Sequence, residues 1–201
     1  EDVNHITGQE DKSGLYENTI AVNGVKTEAS VTIDRPNELV TKTGNPTVAN
    51  NTIDWIVDVN RSGSLLENAV LTDTLAANTD AGYEHFLLPD TVKIQELKFT
   101  ENHKGNNDGL DGIDEKNGAT KTLAEAIEAG WLTASPMEPE IRKNTSFKLT
   151  FGDLTDDEGP QAFRITYSTY YDGKHGEEGA YGNEAVLTSV SQTLPKEIAT
   201  A

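Results

Sequence analysis

The chain has 201 residues, with 16 Lys and Arg against 34 Asp and Glu, a net charge of −18 and a pI of about 4.4. That is enough chain for one large domain or two small ones. The acidity, with no Lys/Arg cluster to reverse it locally, excludes nucleic acid as a partner, and the absence of any apolar run of about 18 residues excludes a membrane-spanning helix. No Cys is present, so disulfides, thiolate metal sites and Cys nucleophiles are excluded together. The apolar fraction of 35% is low, but apolar residues alternate along the chain rather than thin out, which marks a folded domain.

The chain opens Glu1-Asp2-Val3 without an apolar leader, which suggests a mature segment or one excised from a longer chain. From there the dominant pattern has period two. Ile53, Trp55, Val57 and Val59 share one face of a strand, with Asp54 and Asp58 on the other. Ala69, Leu71, Asp73 and Leu75 share a face in the next run. Residues 101–118 are polar and Gly-rich, a solvated loop too long for a hairpin turn. Lys121 to Ala129 breaks the alternation: Leu123, Ala126 and Ile127 fall at helical spacing and Gly130 stands at the stop, which predicts one short helix in an inserted loop. Phe147, Leu149 and Phe151 then alternate with Lys148 and Thr150, and Phe163, Ile165 and Tyr167 with Arg164 and Thr166. Tyr181, Asn183, Ala185 and Leu187 form the last set. Half-buried strands of this kind, joined by turns such as Asn60-Arg61-Ser62-Gly63, predict an all-β antiparallel sandwich.

An internal echo organises the chain. Gly14-Leu15-Tyr16-Glu17-Asn18 resembles Gly179-Ala180-Tyr181-Gly182-Asn183, and Pro36-Asn37-Glu38-Leu39 resembles Pro195-Lys196-Glu197-Ile198. The offsets are 165 residues (16 to 181) and 159 residues (36 to 195), which suggests a tandem unit of about 160 residues. Residues 1–35 then read as the last strands of a preceding module or an N-terminal extension, 36–195 as one complete module, and 196–201 as a linker to a next one.

Enzyme signatures are missing: no GxSxG, HExxH, P-loop or glycine fingerprint occurs. His5, His85, His103 and His175 stand apart from one another and read as surface residues. Asp108, Asp111 and Asp114, with nearby Asn side chains, offer the hard oxygen ligands that calcium takes. The EF-hand spacing fails, because Gly118 falls where the bidentate Glu belongs. The expectation is therefore a solvated loop and no cofactor, with calcium as the alternative.

Four stretches together resemble the collagen-binding-type adhesin domains of Gram-positive cell-wall surface proteins. They are Trp55-Ile56-Val57-Asp58-Val59-Asn60, Leu66 to Leu75 (LENAVLTDTL), Phe163 to Thr169 (FRITYST) and Tyr181-Gly182-Asn183-Glu184-Ala185. The similarity covers roughly residues 36–195. It implies an immunoglobulin-like sandwich, an extracellular, wall-anchored location, and a host extracellular-matrix partner, collagen above all. It also implies a self-formed isopeptide bond between a Lys on the first strand and an Asn on the last. Position by position, Lys42 in Val40-Thr41-Lys42-Thr43-Gly44 matches the reactive Lys, Asn183 the acceptor and Asp73 the catalytic carboxyl.

The chemistry demands burial. Desolvation frees the amine of its proton and keeps one on the carboxyl, which can then polarise the amide carbonyl. Asp54 and Asp58 are reserve carboxyls, and Lys148 a reserve amine. Such a bond would tie the sheet ends as a disulfide does, which fits a chain without Cys. Two other readings compete: a carbohydrate-binding β-sandwich using Trp131, Tyr170, Tyr171 and Tyr181, and a pilus subunit domain.

Overall fold

The structure, a computed structural model, describes residues 14–22, 25–33, 39–61, 63–75, 84–99, 113–114, 118–154, 161–172, 181–190 and 196–200. Asp108 and Asp111 lie outside them, and Asp114 is described by its backbone alone. Strands β1 (Gly14–Val22) and β2 (Val25–Ile33) pair antiparallel as a two-stranded sheet of their own.

The other described strands form two antiparallel sheets. One runs β10 (Thr133–Ala134), β11 (Ser146–Leu154), β5 (Leu66–Leu75), β13 (Gly182–Thr188), β14 (Lys196–Thr200). The second runs β3 (Val40–Thr47), β4 (Thr52–Val59), β12 (Ala162–Tyr171), β7 (Lys93–Phe99), β8 (Ile113–Asp114). In addition, β6 (His85–Leu87) pairs with β12 and β9 (Thr120–Thr122) with β7. Residues 196–200, expected as linker, add β14 to the edge of the first sheet beside β13.

The period-two pattern drives this architecture. Trp55, Val57 and Val59 of β4, Leu71 of β5, Leu149 of β11, Ile165 of β12 and Ala185 of β13 are fully buried between the sheets. Each large aliphatic side chain so placed contributes about 2 kcal/mol. Phe151 of the first sheet stacks on Phe163 of the second with centroids 4.8 Å apart, and Phe147 meets Tyr167 edge-on at 5.1 Å. A bulge sits where β5 and β11 lose register around Gly152. Gly152 (φ +75) and Asn68 (φ 52) carry its left-handed backbone, and the shift returns Leu66 and Leu154 to the core side.

The inserted helix, α1 (Leu123–Glu128), is present and shorter than its sequence pattern suggests. Thr122 and Glu125 form a reciprocal capping box at its start, and Gly130 (φ +73) follows its end. Only Ala126 is buried; Ile127, expected on the apolar face, is 42% exposed, because so short a helix turns a single residue fully inward.

Candidate functional site

Edge strand β3 tolerates Pro46 because its outer side carries no ladder, and β14 runs close beside it where the two sheets meet. On its inner face stand Val40, Lys42 and Gly44. A Cβ on Gly44 would fall 2.5 Å from Cζ3 of Trp55, so glycine lets that ring lie across β3. The ring centroid sits 5.3 Å from Lys42 Nζ, and that of Tyr167 5.4 Å from it. Lys42 therefore runs into the core with its side chain wholly out of water.

The opposite sheet supplies the other groups. Asp73 on β5 and Asn183 on β13 occupy neighbouring strands, where Asp73 pairs with Ala185 and Asn183 with Leu75. Asp73 is fully buried and Asn183 is 1% exposed. Lys42 Nζ donates to Asp73 Oδ2 in a close ion pair. It also donates to the Tyr167 hydroxyl at 2.7 Å. That hydroxyl donates to Asp73 Oδ2 at 2.8 Å and accepts from Asn183 Nδ2 at 2.8 Å. Asp73 Oδ1 and Asn183 Oδ1 are buried acceptors with no hydrogen-bond partner among the described residues.

Burial pushes Lys42 down to about 8, against the nearby charge of Asp73, which raises it. Burial likewise raises the Asp73 carboxyl, opposed by the charge of Lys42. Tyr167 is held well above its ordinary value by burial and by the Asp73 charge. A lysine lowered by burial, a carboxyl raised by it and a carboxamide meet on one phenol. These are the groups that amide exchange requires.

Lys42, Asp73 and Asn183, picked out from sequence, are thus brought together, and Lys42 is more deeply buried than its strand pattern indicated. The reserve groups are not in the cluster. Asp54 lies on the outer face of β4 beside Ser168. Asp58, on the same face, is nevertheless buried: Arg164, its cross-strand neighbour on β12, binds both carboxylate oxygens at 2.7 and 2.9 Å, and Arg61 adds a contact at 2.5 Å. Lys148 is exposed on β11.

Sequence reasoning missed Tyr167, whose only signal was its inward register after Phe163 and Ile165. It also placed His85 on the surface. The ring is instead half-buried, with Nε2 3.0 Å from Thr169 Oγ1 and its face edge-on to Tyr181 at 5.3 Å. Burial and the Lys42 charge push it down to about 4, so it is neutral. The aromatics considered for sugar stacking are otherwise engaged. Tyr171 and Tyr181 are buried, Tyr170 stacks on Phe86 and Trp131 packs against Phe163. Among the described residues no group of three His, Asp or Glu could hold a metal, and no helix is long and apolar enough to cross a membrane.

Comparison with known proteins agrees with this architecture. A family profile described as the collagen binding domain matches residues 37–195. No curated protein matches the sequence. Among solved structures, the collagen-binding subdomain of the Enterococcus faecalis surface protein ACE has a TM-score of 0.55 at 14% identity, over 84% of this chain and 100% of that one. A longer structure of ACE gives 0.56 at 14% identity, over 92% of this chain and 59% of that one. The collagen-binding domain of a Staphylococcus aureus adhesin gives 0.51 at 12% identity, over 81% and 97%. At these identities the structural likeness is one of fold, an immunoglobulin-like sandwich. The family match, which spans most of the sequence, carries the assignment: the chain belongs to the collagen binding domain family.

Proposed function

We propose that this domain is an extracellular, wall-attached adhesin module that binds a collagen-like matrix protein and ties its two sheets together with an isopeptide bond between Lys42 and Asn183. Asp73 is the catalytic carboxyl. The observation that supports the bond is the convergence of amine, carboxyl and carboxamide on one buried hydroxyl. With a pKa of about 8, about a tenth of the Lys42 amine is free at pH 7. The free amine attacks the Asn183 side-chain carbonyl. Asp73, whose carboxyl burial raises, takes the proton that the amine gives up and in that form hydrogen-bonds the carbonyl oxygen as negative charge gathers there, and ammonia leaves. Fixed contact between the reactants supplies several kcal/mol of the barrier, so no other catalyst is needed.

The bond would join β3, near the start of the matched region, to β13 near its end, so tension on the chain ends loads a covalent tie. In a surface protein made of tandem modules, as the internal sequence echo suggests, each unit would then resist unravelling. Collagen binding rests on the family membership and the shared fold.

Intact mass spectrometry tests the bond. The folded chain is expected to weigh about 17 Da less than its sequence, one ammonia, while Lys42→Ala and Asn183→Ala weigh what their sequences dictate. A wild-type mass equal to the sequence mass rejects the bond. Surface plasmon resonance on immobilised collagen tests the ligand separately, and no binding at the highest soluble concentration rejects the collagen reading while leaving the bond untouched.

A further inference from the structure

We propose that Tyr167 is a catalytic residue of the cross-linking reaction, its hydroxyl carrying a proton from the attacking Lys42 amine to the departing nitrogen of Asn183. This rests on the Lys42–Asn183 bond proposed above and assigns the proton transfer that the bond requires. As Nζ bonds to the Asn183 side-chain carbon, the bond from that carbon to Nδ2 must break. Nδ2 leaves with the bonding electron pair and needs one more proton to become ammonia, while Nζ has one proton too many for an amide. Direct transfer between the two nitrogens would close a strained four-membered ring through the carbon. A bridging hydroxyl widens the path to six members.

Tyr167 Oη occupies the bridging position. It is hydrogen-bonded to both reacting nitrogens, accepting from Nζ at 2.7 Å and from Nδ2 at 2.8 Å while donating to Asp73 Oδ2 at 2.8 Å. One donor and two lone pairs are all that a phenol has, and all are used. An amide nitrogen has no basic lone pair, so in the reactant Nδ2 can only donate to this oxygen. Once Nζ has added, the nitrogen becomes amine-like and basic. The hydroxyl proton then swings from Asp73 to Nδ2, Nζ passes its proton to Oη, and the phenol is regenerated.

The surroundings suit a relay. Tyr167 sits mid-strand on β12, 2% exposed, with Phe147 edge-on to its ring. Burial and the Asp73 charge keep the phenol protonated at any neutral pH, so it can both give and take a proton. A division of labour follows. Asp73 Oδ1 and Asn183 Oδ1 are both buried and without a hydrogen-bond partner among the described residues, and on this proposal Asp73 serves the carbonyl oxygen while Tyr167 serves the two nitrogens.

The test uses full-length chain recovered unfolded in denaturant, refolded by dilution and followed by intact mass for the loss of about 17 Da. Tyr167→Phe keeps the ring against Phe147 and removes only the hydroxyl. It is expected to fold with the wild-type circular dichroism spectrum and to cross-link about a hundredfold more slowly. In mixtures of light and heavy water the wild-type rate is expected to give a curved proton inventory, two protons moving together, and the variant a linear one. Cross-linking of folded Tyr167→Phe at the wild-type rate overturns the relay while the bond stands. Wild-type chain that folds and never loses mass overturns both. If Tyr167→Phe does not fold, the wild-type inventory decides: a curved one supports the relay and a linear one rejects it.

Discussion

Asp58 and Asp73 both have side chains almost wholly out of water, 6% and 1% exposed, and both are paired with a cation. The pairings differ in kind. Asp58, on the outer face of the second sheet, is held by two guanidinium groups, with Arg164 gripping both oxygens. Asp73, between the sheets, meets one ammonium and one phenol on the same oxygen and leaves the other oxygen without a hydrogen-bond partner among the described residues. Arginine does not give up its proton at any accessible pH, so the Asp58 cluster is a fixed ion pair that fastens β4 to β12. Lysine gives it up more readily when desolvated, which is what the cross-link proposed at Asp73 requires. The cation beside the carboxylate, more than depth of burial, separates a structural site from a chemical one.

The strongest way to break this contrast is to make the inner site resemble the outer one. Lys42→Arg is expected to abolish the cross-link completely, leaving the intact mass at its sequence value, because a guanidinium is never a free nucleophile. Asn183→Ala removes the link from the acceptor side. The bond spans 141 residues (183 minus 42), so by the loop-entropy reasoning applied to disulfides its loss should lower the unfolding free energy by about 5 kcal/mol, measured by calorimetry.

That unlinked variant also exposes the lysine to titration. The folded-state pKa of Lys42 is lowered to about 8 from 10.5, so between these values the unfolded chain binds more protons. Stability of Asn183→Ala should therefore rise as pH is raised from about 8 to about 10.5, and a flat denaturation profile across that window would refute the buried free amine. Asp73, raised from 3.8, acts with the opposite slope: stability falls as pH climbs from 3.8 towards its higher folded-state value.

Asp58→Ala sharpens the comparison from the other side. It removes the carboxylate that two guanidinium groups share and should cost about 3 kcal/mol in urea denaturation, yet the chain that folds should still lose about 17 Da in full. Gly44→Ala connects the regions through Trp55. The added methyl must displace the ring that covers Lys42, at a cost of about 2 kcal/mol, and cross-linking followed by mass should slow. Thr122→Ala, far from both clusters, removes the helix cap and should cost about 1 kcal/mol without changing the cross-linking rate.

Much of this was legible in the residues. Alternation placed Trp55, Leu71, Phe147, Ile165 and Ala185 inward because burial on one sheet face is a local, period-two property. Gly130 marked the helix end for an equally local reason, its left-handed backbone. Family resemblance supplied Lys42, Asp73 and Asn183 as a set, and the inward register of Asp73 and Asn183 agreed with it.

Other features depended on neighbours distant in sequence. Asp58 reads as an outward, solvated residue until β12 brings Arg164 across from it. His85 reads as a surface residue until Thr169 and Tyr181 close around it. Tyr167 reads as one more core aromatic, and nothing along its strand says that its hydroxyl reaches Lys42 from one sheet and Asp73 and Asn183 from the other. By itself, then, the sequence determined which faces are apolar and which residue types are present to react. Tertiary structure alone decided which of them meet and how readily each holds its proton, because proton affinity follows desolvation and the charges that packing places nearby.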